Sequence, residues 1–260
     1  MVRQLRWVLV ACLPALLLCG CAKRAEVITV QGGPSLGALF ADLAATYQAD
    51  RSTVRLVLKF SCPPCILYSG KGETADFDLF ASLGQFEIDR LSQEGVAQFE
   101  EPVAFGATTL SIVSTGAAAE RYATMAALHR DGTGKIGVGD PEKASVGHYT
   151  KQALGKAGLW DELADRVVYA QSGCELLKWL GLGRDIEAAV VFSVCREGEG
   201  DAVRLAQELP VDIAPPVPIL LAISKGAENP DGARNFIQFV RSPGAAEILA
   251  RYNVIPVDKP

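Results

Sequence analysis

Residues Gly137 to Leu163 read GVGDPEKASVGHYTKQALGKAGLWDEL, and the fold turns on this stretch. Lys135 to Val138 form a short strand pattern. Asp140-Pro141-Glu142 then reads as a helix start, an acidic cap with proline in the first turn, and a helical run follows from about Ser145 to Lys156. Gly137-Val138-Gly139 is too short for a dinucleotide fingerprint and lacks its third glycine, so it reads as strand-end packing. A strand feeding directly into a helix is the unit of an α/β sheet.

The same alternation continues outward in both directions. Towards the N-terminus, Glu26 to Val30 is a strand that runs into the turn Gln31-Gly32-Gly33-Pro34. Ser35 stands at the N-cap position of an amphipathic run from Leu36 to Gln48. Val54 to Phe60 is β-rich and ends at Ser61-Cys62-Pro63-Pro64-Cys65, and Phe77 to Ala81 is a further strand. Towards the C-terminus come the strands Leu110 to Ser114, Ala188 to Phe192 and Ile219 to Ile223. Helical runs cover Glu175 to Leu180, Asp231 to Val240 and Pro243 to Tyr252. Ala214-Pro215-Pro216-Val217-Pro218 holds too much proline for a helix or a central strand and reads as a crossover. These elements predict an α/β protein of parallel or mixed sheets flanked by helices, with ligand sites beyond the carboxyl ends of the strands.

Composition agrees with a packed core. The chain has 260 residues, 49% of them apolar and 21% charged, enough for one large domain or two modest ones. Residues 1 to 20 carry Arg3 and Arg6, an apolar run from Trp7 to Leu18 and small residues before Cys21. That run is too short to span a membrane and suits a removed signal peptide. Leu18-Cys19-Gly20-Cys21 resembles a bacterial lipobox, which makes Cys21 the expected lipidated first residue and places the mature protein, membrane-anchored, outside the cytoplasm. Without the leader's two arginines, 23 basic residues face 30 acidic ones, a net charge of −7 that disfavours a phosphate-neutralising nucleic-acid binder.

Several strings in order carry a resemblance: ITVQGGPSL near the start, DLFAS at Asp78 to Ser82, the Gly137 to Leu163 stretch, AAVVF at Ala188 to Phe192, and SPGAAEILARYNVIP near the end. Over nearly all of residues 26 to 257 the chain resembles the periplasmic molybdate-binding proteins, the solute receptors of ABC importers. The resemblance implies a two-lobed periplasmic-binding-protein fold of type II-like form, each lobe a mixed sheet flanked by helices. Lobe one is expected over 26–107 and 217–260, lobe two over 108–216. It also implies a non-enzymatic receptor that hands a small inorganic ligand to a permease and its ATPase. In such receptors hydroxyls and helix N-terminal amides hold the oxyanion. The matching positions here are Ser35, the turn at Ser61 to Cys65, main-chain donors near Val146 and Gly173, and Phe192. Pro63 stands where the family has its second serine, and Phe192 lacks the family's tyrosine hydroxyl.

Cysteines occupy or adjoin several of those positions. Cys12 and Cys19 leave with the leader and Cys21 carries lipid, which leaves Cys62, Cys65, Cys174 and Cys195. Four thiolates at the cleft favour a soft metal ion or metalloid over a hard oxyanion, so these four residues are the expected metal ligands, with molybdate or tungstate as the alternative ligand. Two other readings stay open: disulfides, Cys62 with Cys65 or Cys174 with Cys195, and a thiol–disulfide redox protein on the same fold. Weaker candidates read as structural. His148 is a packing or surface histidine with some reach towards the cleft, His129 a solvated loop residue, and Trp160 and Trp179 core. By the family analogy Asp76 and Asp78 are structural. No Ser/His/Asp arrangement or resident cofactor is expected.

Overall fold

The computed structural model describes residues 25–62, 65–67, 76–116, 118–130, 134–196 and 202–257. The leader, Cys21 and Pro63 lie outside the described residues.

Two sheets organise the chain. The first holds β1 (Glu26–Gly32), β2 (Val54–Phe60), β3 (Leu79–Leu83), β4 (Val103–Thr108), β10 (Val217–Ile223) and β11 (Ile255–Pro256), in the order β11-β4-β10-β3-β1-β2. Within it β2, β1 and β3 run parallel, and β10 runs antiparallel to both β3 and β4. The second holds β5 (Leu110–Thr115), β6 (Ile136–Gly139), β7 (Val167–Ala170), β8 (Ala188–Phe192) and β9 (Val203–Glu208), in the order β7-β6-β8-β5-β9. Here β7, β6 and β8 are parallel, and β5 runs antiparallel to β8 and β9. The chain passes between the sheets twice, at Thr109 and again between Glu208 and Val217. The mixed sheets are those that the alternation of elements predicts, and their division into two is the periplasmic-binding-protein architecture that the resemblance implies.

Helices cover the sheets because each has one apolar stripe to hide. On the first sheet, α1 (Gly37–Ala49) buries Leu39, Phe40, Leu43, Ala44 and Tyr47. It packs with α6 (Pro230–Val240) and α7 (Pro243–Arg251). Both C-terminal helices open with proline behind a capping side chain, Asn229 accepting from the Gly232 amide and Ser242 from the Gly244 amide. The opposite side of this sheet carries a smaller core, in which Ile88 and Leu91 of α2 (Phe86–Gln93) meet Phe77, Phe80 and Leu220. The second lobe adds a four-residue α3 (Ala127–Arg130), then α4 (Ser145–Lys156) and α5 (Gly173–Gly181). At the centre of lobe one the fully buried Phe40 ring meets Phe60 at 5.2 Å, Phe105 at 6.2 Å and Phe236 at 6.3 Å between centroids.

Three local expectations are corrected. Asp140 does not open a helix. Its carbonyl accepts from the Lys143 and Ala144 amides and its carboxylate from the Glu142 amide, which closes a turn, and α4 begins at Ser145. Pro218 does lie in a central strand, β10. It sits at the second position, just before the bulge between Ile219 and Leu220, where a missing amide is tolerated. Finally, Ser35 does not cap α1: it lies within a 3-10 turn, Pro34–Leu36, and α1 begins at Gly37 behind Leu36.

Phe40 sits where helix α1 meets three other aromatic rings, so Phe40→Ala is expected to lower the unfolding free energy by about 3–5 kcal/mol. Urea denaturation checks this; a loss below about 1 kcal/mol would remove the ring cluster from the centre of lobe one.

Candidate functional site

Five strand ends deliver one pocket. Beyond β1 lie Gly33 to Leu36, beyond β3 come Glu87 and its helix, beyond β6 lie Ala144 to Val146, beyond β7 Gln171 and Ser172, and β8 ends in Phe192. Together with Ala81 and Leu83 these residues line a narrow cavity of about 20 Å³ between the two sheets. Among the expected site residues, Ser35, Val146 and Phe192 line this pocket.

Helix α4 brings the strongest donors. Its start abuts the end of β6 because both faces of the contact are glycine: a Cβ on Gly147 would lie 2.3 Å from the Gly139 carbonyl oxygen. Ala144, at the N-cap, has an extended backbone and no capping side chain. The cap comes from the other lobe instead. Glu87 Oε1 accepts from the Ser145 amide at 3.3 Å. Burial raises the Glu87 pKa above the usual carboxylate range, against the opposing pull of Ser145 and Arg90. The Ser145 hydroxyl lies near this carboxylate but outside hydrogen-bond geometry. It is buried, 3% exposed for the residue, and without a partner.

A second contact between the lobes stands beside the first. Gly84 has φ +77°, and a side chain there would collide with the Tyr149 hydroxyl, 2.0 Å from an added Cβ. That hydroxyl accepts from the Gln85 amide at 3.2 Å. The His148 ring stacks on Phe86 at 4.3 Å, and burial lowers its pKa. This histidine packs, as the sequence suggests. Arg90 closes the row by donating to the Lys143 carbonyl at 3.2 Å.

The cysteines do not form the expected four-sulfur centre. Cys62 and Cys65 are joined in a disulfide, which uses up two of the four thiols. Among the described residues no group of three or more His, Cys, Asp or Glu side chains is placed to hold a metal ion. Ser61 follows the end of β2, where its amide donates to the Gly32 carbonyl and its hydroxyl accepts from Gln31. Cys174 and Cys195 remain thiols. They belong to the same lobe, and Ser35 reaches them from the other. A Cβ on Gly173 would lie 3.2 Å from Cys195 Sγ and 3.6 Å from Ser35 Oγ. Hydrogen bonding from Cys195, and less strongly from Ser35, brings the Cys174 pKa down to about 7 although burial opposes it. Cys174 follows Gly173, the first residue of α5, whose N-cap Ser172 accepts from the Glu175 amide.

Glu87, Ser145, Tyr149, Gln171 and Ser172 are pocket or bridging residues that the sequence alone does not single out. The one usable signal is position: Glu87 falls in the first turn of a helix just past the carboxyl end of a strand, where ligand sites gather.

Comparison with known proteins follows the same lines. The family described as bacterial extracellular solute-binding protein matches residues 28–252. YvgL of Bacillus subtilis (strain 168), named as an ABC transporter substrate-binding lipoprotein, is 22% identical over 91% of this chain and 92% of its own. The molybdate-binding protein ModA of Haemophilus influenzae is 25% identical over 86% and 88%. In structure, the periplasmic molybdate-binding protein of Azotobacter vinelandii superposes with a TM-score of 0.72 over 89% of this chain and all of that one, at 17% identity, a likeness of fold.

Two outcomes test this geometry. Because the thiolate is the nucleophile, iodoacetamide should modify Cys174 with a midpoint near pH 7, and Cys195→Ala should move that midpoint upward; a midpoint unmoved by Cys195→Ala would dissolve the thiol pair. For Glu87, a raised folded pKa means that the native state holds its proton longer than the unfolded chain does. Stability should therefore be fullest below the unfolded carboxylate pKa and decline as pH rises towards the folded value. Melting temperature against pH should show that decline in the parent and a flatter curve in Glu87→Gln.

Proposed function

The chain belongs to the bacterial extracellular solute-binding protein family, and on that premise we propose that it captures a small inorganic oxyanion of the molybdate or tungstate type between its lobes. It then presents this ligand to an ABC permease and its ATPase. The observation that carries the ligand class is the buried, partnerless Ser145 hydroxyl beside the helix-start amide, in a pocket that Ser35 also lines. Hydroxyls and unpaired amides at a helix start are donors matched to an oxygen-rich anion, and the helix dipole adds to them. Phe192 supplies an apolar wall, and the Gln171–Ser172 turn lines the same pocket.

In this reading the two crossings act as the hinge, and ligand contacts to both lobes shift the population towards closure. Lobe one comprises residues 26–107 and 217–260, and lobe two 108–216. Cys21 carries the lipid that holds the receptor on the outer face of the membrane; the name of the Bacillus subtilis relative supports this. Among the described residues no helix is long and apolar enough to cross a membrane.

The thiol pair favours a second reading, in narrower form than four sulfurs would give: a thiophilic metalloid held by Cys174 and Cys195 with Ser35 beside them. Its support is the thiol poised to ionise at about pH 7. No feature of the fold favours the thiol–disulfide redox alternative over a receptor.

Thermal-shift titration separates these. A ligand that binds only the folded state stabilises it by about 2.7 kcal/mol at a hundred times its dissociation constant. Molybdate or tungstate should raise the melting temperature of the parent and of Cys174→Ser alike, while Ser35→Ala should weaken the response roughly tenfold in half-saturating concentration. A shift with arsenite alone, lost in Cys174→Ser, would give the site to the thiophilic ligand.

A further inference from the structure

We propose that Glu87 is a specificity-determining residue of the cleft, making capture of a fully deprotonated oxyanion conditional on one proton shared between its carboxyl group and the ligand. This rests on the oxyanion reading above and concerns a residue outside the hydroxyl and amide set expected from the resemblance.

The geometry is direct. Glu87 comes from lobe one and takes the Ser145 amide of lobe two at 3.3 Å, so an internal carboxylate occupies a donor that an oxyanion would use. The same carboxylate borders the pocket next to Gly33, whose added Cβ would lie 3.8 Å from Oε2. The Ser145 hydroxyl beside it is buried and partnerless, a donor held open at the same spot. A dianion seated on that hydroxyl and on the α4 amides would meet a carboxylate within contact range, with too little room for screening water. Like charges that close do not both persist. One proton from solvent resolves the conflict: carboxylate, dianion and proton combine as a carboxyl that donates to an oxyanion oxygen, a short charge-assisted hydrogen bond. Burial already pushes Glu87 towards its protonated form.

Other ionisable groups around Glu87 behave differently. Arg90 and Asp89 lie on its own helix, and Arg90 also faces Lys143 and Asp140 of the turn before α4. Tyr149 faces it from α4, with its phenol pKa raised. Asp140 is held below the usual carboxylate range, largely by Lys143 and the Glu142 amide against its own burial. The Gly33–Leu36 and Gln171–Ser172 turns bring no ionisable side chain. His148, stacked on Phe86 with its pKa lowered by burial, and Cys174, beside Ser35 with its pKa brought down to about 7, need controls.

Isothermal titration of the purified protein with molybdate from pH 5 to 8.5, in buffers of different ionisation enthalpy, tests the proposal. The parent should take up close to one proton per molybdate at the alkaline end, its affinity falling about tenfold per pH unit there. Sulfate should behave in the same way, whereas phosphate, which brings its own proton at these pH values, should bind with little uptake. In Glu87→Gln the uptake should vanish and molybdate affinity at pH 8 should rise at least tenfold, while His148→Gln and Cys174→Ser should keep the parent's slope. Molybdate binding without proton uptake by the parent overturns the role of Glu87 even if the variant fails to fold, and so does a slope that survives Glu87→Gln but disappears in Cys174→Ser. No binding of molybdate, tungstate, sulfate or phosphate by either the parent or Glu87→Gln at any pH overturns the oxyanion reading itself.

Discussion

The first backbone amides of α4 are the constraint around which the cleft is arranged. A helix start carries backbone donors that need partners, and Ala144 offers none from its side chain. The close approach of Gly139 and Gly147 fixes that start against the end of β6, so it cannot slide away from the pocket. The partner therefore has to come from across the gap, and Glu87 provides it. The pocket walls, the stacking of Phe86 on His148 and the Tyr149 contact at Gly84 all lie along the same seam. Packing, electrostatics and ligand chemistry meet at one hydrogen-bond donor.

Much of this architecture was legible in the sequence. Strand patterns at Val54 to Phe60 and Ala188 to Phe192, and the helix from Ser145 to Lys156, coincide with the observed elements, because an apolar run or a helical period sustained over a full element leaves little choice. Shorter signals misled. Asp140-Pro141-Glu142 has the composition of a helix start, yet the same carboxylate can close a turn, and the turn won. Pro218 reads as a break in any central strand, but only an interior strand position forbids it.

The site was legible in part. Ser35, Val146 and Phe192 share a pocket, since a resemblance that holds across whole elements carries loop positions with it. Glu87 escaped because an acid in the first turn of a helix is commonplace, and only the tertiary fold sets it against Ser145. The cysteines escaped for the opposite reason: their spacing is compatible with thiolates and with disulfides, and no sequence argument separates the two. The fold divides them, one pair bonded at the end of β2 and one pair left as thiols beside Ser35.

The first crossing between the sheets consists of Thr109 alone, and both its backbone and its side chain are committed to lobe two. Its carbonyl accepts from the Ser193 amide at 2.9 Å, and its hydroxyl is shared with Ser193 and Glu208. The second crossing runs through Pro210, Pro215 and Pro216 with far more chain. That longer stretch is fastened to lobe two as well: the Leu209 amide donates to the Leu110 carbonyl at 2.8 Å, the Ala214 amide closes a turn onto the Pro210 carbonyl, and Lys156 donates to the Asp212 carbonyl. Both crossings meet lobe one side by side, since Val217 pairs with Thr108, so any bending between the halves would be confined to two adjacent strand ends and would part the seam where Glu87 meets Ser145.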